Sequence, residues 1–370
     1  MKKPNSTILT STPELDQQFW DDYAQLWLNS IGRSPFQAPH VLKYYSKRAK
    51  NSVACFQYYQ DEQLLATALF RHQKGIYTFL SDMKTDANFF VLHKQCSDDE
   101  IREIFEQFLL EVKENNWALM LNNQPGWAKY MDIFNKAGQS SSLYWENIKY
   151  SVCPVAEDET PEALFKRING SRELRYRVNK LKNQENAEFE VLTDDSDLDH
   201  WVDEFCQSHV LRWANTPTPS AYRDPARRQF LKGCLKAWTE DGILRRFSVK
   251  VNSSRVGFVV GLLEENSLVH HSTTFHPDYW KYSPGKALIH FMTEWMSTQK
   301  IRALDFGDGD EQYKYTVANK EHELRRIFIS RPMNLPFILK TKAIKVVRDN
   351  PKMYDFYRDK IKRLTQRVQL

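Results

Sequence analysis

The order of elements legible in this chain repeats, and the repeat constrains its fold more than any other feature. β-Prone runs at 53–59 and 64–71 flank the polar turn Gln60-Asp61-Glu62-Gln63, and a third run, 76–80, follows Gly75. The pattern Ser97-Asp98-Asp99-Glu100 is a capping box. It opens a helix in which Ile101, Ile104, Phe105, Phe108, Leu109 and Val112 keep helical spacing. A strand at 117–121, a short helix around 127–134, a break at Gly138 and a strand-like run at 143–152 complete this half. The second half returns to the same order: strand 243–251, turn Asn252-Ser253-Ser254, strands 256–263 and 268–275, helix 285–296, strand 303–306. Corresponding elements lie roughly 185 to 190 residues apart, which predicts two diverged copies of one meander-helix-strand domain.

The length agrees, since 370 residues exceed what one ordinary core holds. The expected fold class is α/β with mixed sheets, arranged as domains 1–155 and 156–330 followed by a basic helical tail, 331–370. No apolar run reaches membrane-spanning length and the N-terminus has no signal-peptide core, so a soluble, cytoplasmic chain is expected. Cys55, Cys96, Cys153, Cys206 and Cys234 are scattered and never form a C-x-x-C pair, which predicts reduced packing residues and no metal site. The net charge is +5, yet residues 331–370 hold eleven Lys/Arg against three Asp/Glu. Basicity thus belongs to the tail, and the composition does not favour a nucleic-acid partner. A second basic stretch, 161–183, carries Arg167, Arg172, Arg175, Arg177, Lys180 and Lys182. It reads as a solvated face, or as a surface that helps to hold an anionic substrate or a cofactor phosphate.

Chemistry points to 273–288, which runs strand, loop, small-residue turn, helix. In that order Gly285 and Ala287 let backbone approach a ligand, the free amides of the first helical turn face an anion, and Lys286 adds charge. The first copy has Ser81-Asp82-Met83-Lys84-Thr85-Asp86-Ala87-Asn88 at this place, with two acids and no glycine, so a structural or acceptor-shaping role is expected of it.

Tyr282-Ser283-Pro284-Gly285-Lys286-Ala287 resembles the end of the pyrophosphate loop of the GNAT acetyltransferase superfamily. With Ser208-His209-Val210-Leu211-Arg212-Trp213 and the run from Asp305-Phe306-Gly307 to Tyr313-Lys314, the chain from about 20 to 329 resembles the CelD-like acetyltransferases associated with cellulose and exopolysaccharide synthesis. The resemblance implies a tandem GNAT architecture like that of the Fem transferases, acetyl-coenzyme A as donor, and a saccharide-linked amine or hydroxyl as acceptor. It implies a donor site of Thr274, Phe275, Ser283, Pro284, Gly285, Lys286 and Ala287, with the oxyanion held by backbone near Thr274 and Phe275.

For the base, Asp305, Asp310, Glu311, His271 and His209 are candidates; Tyr313 could protonate a leaving thiolate. Asp310 also fits a plain turn in Gly307-Asp308-Gly309-Asp310. His209, Arg212, Trp213 and Lys314 are the expected acceptor contacts, although Trp213 fits a domain junction equally well. The tail from 351 onward spaces Met353, Phe356 or Tyr357, Ile361, Leu364 and Val368 on one face among basic residues. That suits a docked helix, or peripheral contact with anionic lipid or a membrane synthase at the inner membrane face. Two rival functions stay open: a Fem-like aminoacyltransferase, and a non-catalytic scaffold of a synthesis complex.

Overall fold

The computed structural model describes residues 5–10, 15–49, 52–81, 85–216, 219–350 and 352–353. The chain divides into two compact units, Met1–Ser151 with His322–Leu370, and Val152–Glu321.

Unit 1 begins β1 (Asn5–Thr10), α1 (Gln17–Leu28), α2 (Pro39–Ala49), and continues β2 (Val53–Gln60), β3 (Gln63–Gln73), β4 (Ile76–Phe79), β5 (Val91–Leu92), α3 (Asp98–Glu114), β6 (Leu119–Pro125), α4 (Met131–Ser140) and β7 (Tyr144–Glu157). Its strands lie in the order β1-β2-β3-β4-β6, antiparallel except where β4 meets β6. Phe56, Phe70, Phe90, Phe105, Phe108 and Phe134 pack together beneath α3 and are fully buried. Each contributes about 1.5–3 kcal/mol by leaving water. The expected break at Gly138 does not occur. α4 runs through it, and the ring of Trp145 lies against that face, where a Cβ would overlap the indole. The residue is glycine for close packing, not for chain reversal.

The body of unit 2 is α5 (Pro161–Asn169), α6 (Arg172–Glu185), β8 (Glu188–Leu192), α7 (Leu198–Arg212), α8 (Pro225–Glu240), β9 (Leu244–Val251), β10 (Ser254–Glu264), β11 (Ser267–Phe275), α9 (Pro284–Thr298) and β12 (Ala303–Asp305). The order β8-β9-β10-β11-β12 repeats that of unit 1, and strand, two helices, three strands, helix, strand is common to both. Ala156, Val249, Val259, Leu288, Met292 and Leu304 belong to the buried core that joins α5, α6 and α9 to the sheet.

Boundaries differ from the expected 155/156 and 330/331 because two strands go elsewhere than sequence order suggests. The end of β7, Val155–Glu157, pairs antiparallel with β12. β13 (Lys320–Ser330) pairs antiparallel with β6 through Leu324–Ile329, and α10 (Leu335–Asp349) follows it in unit 1, where Thr341 Oγ1 meets the Tyr144 hydroxyl at 2.9 Å. Apart from Lys352 and Met353, the basic helix expected from 351 onward lies outside the described residues. No helix among the described residues is long and apolar enough to cross a membrane. None of the five cysteines is in a disulfide, and four of them are buried.

Candidate functional site

The site is built on β11. Its pairing with β10 matches Val260 to Ser272 but Gly261 to His270, so His271 is an extra residue in the register and bends the strand. On its other edge β11 runs parallel to β12 for three positions, Ser267 to Val269 against Ala303 to Asp305, and there the ladder ends. β12 stops because Gly307 and Gly309 take φ of 63° and 122°, which no strand continues, and because Asp305 Oδ1 accepts the Gly307 amide at 2.7 Å. From His270 to Phe275, β11 therefore has an edge that no described strand covers.

That edge leads to the turn before α9. Ser283 is in the left-handed conformation (φ 52°) and its side chain caps nothing, Pro284 presets the first helical residue, and the first turn has no acid. A Cβ at Gly285 would meet no atom within 4 Å. The expected cup is smaller than a fully open helix end, since the Lys286 and Ala287 amides bond the Ser283 carbonyl at 3.0 and 3.2 Å. Lys286 Nζ is held by Glu173 at 2.7 Å, which lowers the Glu173 pKa. Gly285 remains the open element of the turn. Gly257 lets the turn sit close to the sheet, as its Cβ would come 2.8 Å from Pro284 Cβ.

Three expected residues from separate segments come together beside the uncovered edge. The Arg212 guanidinium stacks over the Phe275 ring at 4.2 Å. Burial lowers the Arg212 pKa, and Tyr313 acts on it in the opposite sense. Burial, with Glu311 adding to it, pushes the Tyr313 hydroxyl up to about 12, so it stays protonated at neutral pH. Thr274 is fully buried and its Oγ1 has no hydrogen-bond partner among the described residues.

Other candidates stand differently. Lys314 is buried, and its ammonium touches the carbonyls of Gly307, Asp308 and Gly309 at 3.3, 2.9 and 3.2 Å and Glu311 Oε2 at 2.9 Å. Those contacts use all its donors on folding the 307–311 loop, so acceptor binding is not where its hydrogen bonds go. Asp310 is exposed and Glu311 faces Lys314. His271 lies edge-on to Trp238 of α8 at 5.4 Å. His209 Nδ1 meets Ser220 Oγ at 2.8 Å while its ring stacks on Trp213 and packs edge-on to Tyr222, a satisfied histidine in a packed aromatic group. Sequence reasoning passes over His270, buried beside Phe306 at 5.6 Å, whose pKa burial lowers to about 4. Strand alternation at His270-His271 could have signalled that one of the pair faces the core. A separate cleft of about 730 Å³ in unit 1, lined by Asp132, Asn135, Trp145, Asn147 and Arg325 among others, holds none of the expected site residues.

Residues 169–315 match the acetyltransferase (GNAT) domain family, and the fold is the mixed α/β fold of GNAT acyltransferases. No curated protein matches the sequence. Among solved structures, the chain is similar to L-PGS from Bacillus licheniformis, at 12% identity with a TM-score of 0.60 over 90% of this chain and 98% of that one. It is similar to FemX at 9% identity, TM-score 0.61, over 88% of this chain and 98% of that one. The C-terminal domain of a putative lysylphosphatidylglycerol synthetase from Agrobacterium fabrum gives 10% identity and a TM-score of 0.58 over 90% and 97%. At such identities the likeness is one of fold.

Proposed function

We propose that unit 2 is an acyl-coenzyme A-dependent acyltransferase that transfers an acetyl or related acyl group to an amine or hydroxyl. The parting of β11 and β12 after Val269 and Asp305 carries this reading, because it leaves a strand edge that ends at the open turn of Gly285. The thioester arm would lie along that edge and the diphosphate would meet the positive end of α9. Backbone amides near Thr274 and Phe275 would hold the developing oxyanion. Tyr313, protonated at neutral pH, would give its proton to the leaving thiolate. Arg212, beside Phe275 and Tyr313, would orient the acceptor, for which a saccharide-linked amine or hydroxyl remains the expectation. Calorimetry with acetyl-coenzyme A tests this: the parent binds, and Gly285→Glu, whose side chain has room in the fold, binds on the order of 100-fold more weakly. Absence of binding in the parent would sink the reading.

A second reading, an aminoacyltransferase of the Fem kind, draws on the near full-length fold likeness to FemX and L-PGS. It requires an aminoacyl-tRNA donor. The protein would then bind tRNA with an affinity that falls steeply as salt rises, and would not bind acetyl-coenzyme A.

A further inference from the structure

Helix α6 and the loop before α9 gather positive charge around one ring. Leu174, Val178 and Leu181 seat α6 on the core, which leaves Arg177 and Lys180 half-buried toward residues 277–282. Arg177 Nη1 donates to the Lys281 carbonyl at 3.3 Å, and its Nε is buried without a partner among the described residues. Lys180 Nζ lies 5.2 Å, and Lys281 Nζ 4.7 Å, from the centroid of the same Tyr282 ring. Of the nearby acids, Glu173 takes Lys286, Glu185 accepts the Tyr282 hydroxyl, and Asp278 lies 3.7 Å from His276 Nδ1. Neither Lys180 nor Lys281 has a carboxylate partner among the described residues. Beside them Trp280 is 71% exposed, high for an indole in a short helical turn. Two unpaired ammonium groups over one ring repel, and an anion between them would turn that repulsion into attraction.

We propose that this collar recognises the 3′-phosphoadenosine end of the donor, with Lys180 and Lys281 on the ribose 3′-phosphate and Trp280 stacked on the purine. The inference rests on the acyl-coenzyme A reading of unit 2 and adds to it a preference for the 3′-phosphorylated nucleotide. The positions agree, since that phosphoribose is joined directly to the diphosphate placed at Gly285, and Lys281 and Trp280 lie four and five residues upstream of it. Aromatic stacking on a base and paired cations on a phosphate are sufficient chemistry for such selectivity.

The test is calorimetry with coenzyme A and with 3′-dephospho-coenzyme A, on the parent and on the double variant Lys180→Gln, Lys281→Gln. Both lysines are on the surface, and thermal melting checks that the variant folds. The parent should prefer coenzyme A about tenfold, the double variant should bind both ligands equally at the weaker level, and Trp280→Ala should weaken both alike. Equal binding of the two ligands by the parent, or a preference retained in the double variant, overturns the collar and leaves the acyltransferase reading standing. A parent that binds neither ligand overturns both.

Discussion

Helices α3 and α9 hold the same place in the two copies, and their N-termini are opposites. At α3, Ser97 Oγ accepts the Glu100 amide at 3.3 Å, Glu100 Oε2 accepts the Ser97 amide at 2.8 Å, and Asp98, Asp99 and Glu100 fill the first turn. At α9 no side chain caps the helix and the first turn holds no acid. The strands in front differ in the same sense. In unit 1 residues 85–92 bond to the sheet: β5 pairs with β3, the Asn88 amide bonds the Asn123 carbonyl at 2.9 Å, and Asn123 Nδ2 donates to Thr85 O at 2.5 Å. In unit 2 the edge of β11 beyond Val269 has no such covering among the described residues. One copy satisfies its backbone internally and thereby gains stability. In the other, no side chain among the described residues caps the helix and no described strand extends the ladder past Val269.

The largest effect should come from making α9 resemble α3. Gly285→Glu places a carboxylate where α3 has acids, and the helix dipole then stabilises α9 by about 0.3–1 kcal/mol. The same carboxylate repels a diphosphate, and acetyl-coenzyme A affinity should fall by on the order of 100-fold. Melting temperature and affinity must move in opposite directions. If both fall together, the variant has damaged the fold and the contrast is not electrostatic. The reverse exchange, Asp98→Ala with Asp99→Ala in α3, should create no donor site, because the Asn88–Asn123 bridge remains; binding in that variant would break the comparison.

Much of this contrast is legible in the sequence. Helical spacing and the capping box place α3, while the meander β9, β10, β11 and the helix after Pro284 fall within two residues of their expected bounds, because each depends on local patterning. The uses of β7 and β13 are not legible. Val155–Glu157 and Leu324–Ile329 look like any terminal strands, and partner choice is a long-range matter on which periodicity is silent. The site divides in the same way. Gly285 and Tyr313 can be picked as candidates from residue type and position alone, but the saturation of Lys314 by three carbonyls and the satisfied state of His209 depend on folded neighbours. β1, α1, α2 and α8 carry no motif, and sequence patterning does not anticipate them.

Gly138 and Gly257 sharpen the contrast through packing. Gly138→Ala would press a methyl into the Trp145 ring and destabilise unit 1 by about 1–3 kcal/mol, with acetyl-coenzyme A affinity unchanged. Gly257→Ala would push on Pro284 at 2.8 Å and so displace the turn. Its loss should appear in donor affinity as well as in stability. Denaturation and calorimetry on both variants separate the two outcomes, and a Gly138 variant that weakens binding would tie the sealed copy to the open site.

Acid should test the same asymmetry with a somewhat smaller effect. His270 is held to about 4 by burial, below the 6.5 of an exposed histidine. At neutral pH it is uncharged both folded and unfolded, and contributes no pH dependence. As pH falls through 6.5 the unfolded chain takes up a proton that the folded chain refuses, so stability is lost from about pH 6.5 down to about 4 and levels off below. Between pH 7 and pH 5 the loss should be about 1–2 kcal/mol, and it should appear as faster amide exchange in β11 ahead of α3. His270→Phe should flatten that part of the profile; an unchanged profile would remove His270 as its source.

The smallest effects come from the caps, and they test most directly whether the two helix ends serve different ends. Ser97→Ala removes the acceptor for the Glu100 amide and should cost about 1 kcal/mol, seen as a lower denaturation midpoint for unit 1. Ser283→Ala removes a hydroxyl that caps nothing and should cost little. Ser283→Gly should stabilise by roughly 0.5–1 kcal/mol, because glycine adopts φ near 52° without the steric penalty that a Cβ brings. A serine kept where glycine would be more stable fits an end shaped for a ligand: the Ser283 hydroxyl, free of the helix, remains available to a phosphate oxygen. Donor affinity should then fall roughly two- to threefold in Ser283→Gly while stability rises. A rise in stability with no change in affinity would mean that the hydroxyl serves neither the helix nor the donor, and would leave Gly285 and the uncovered β11 edge as the whole of the difference between the copies.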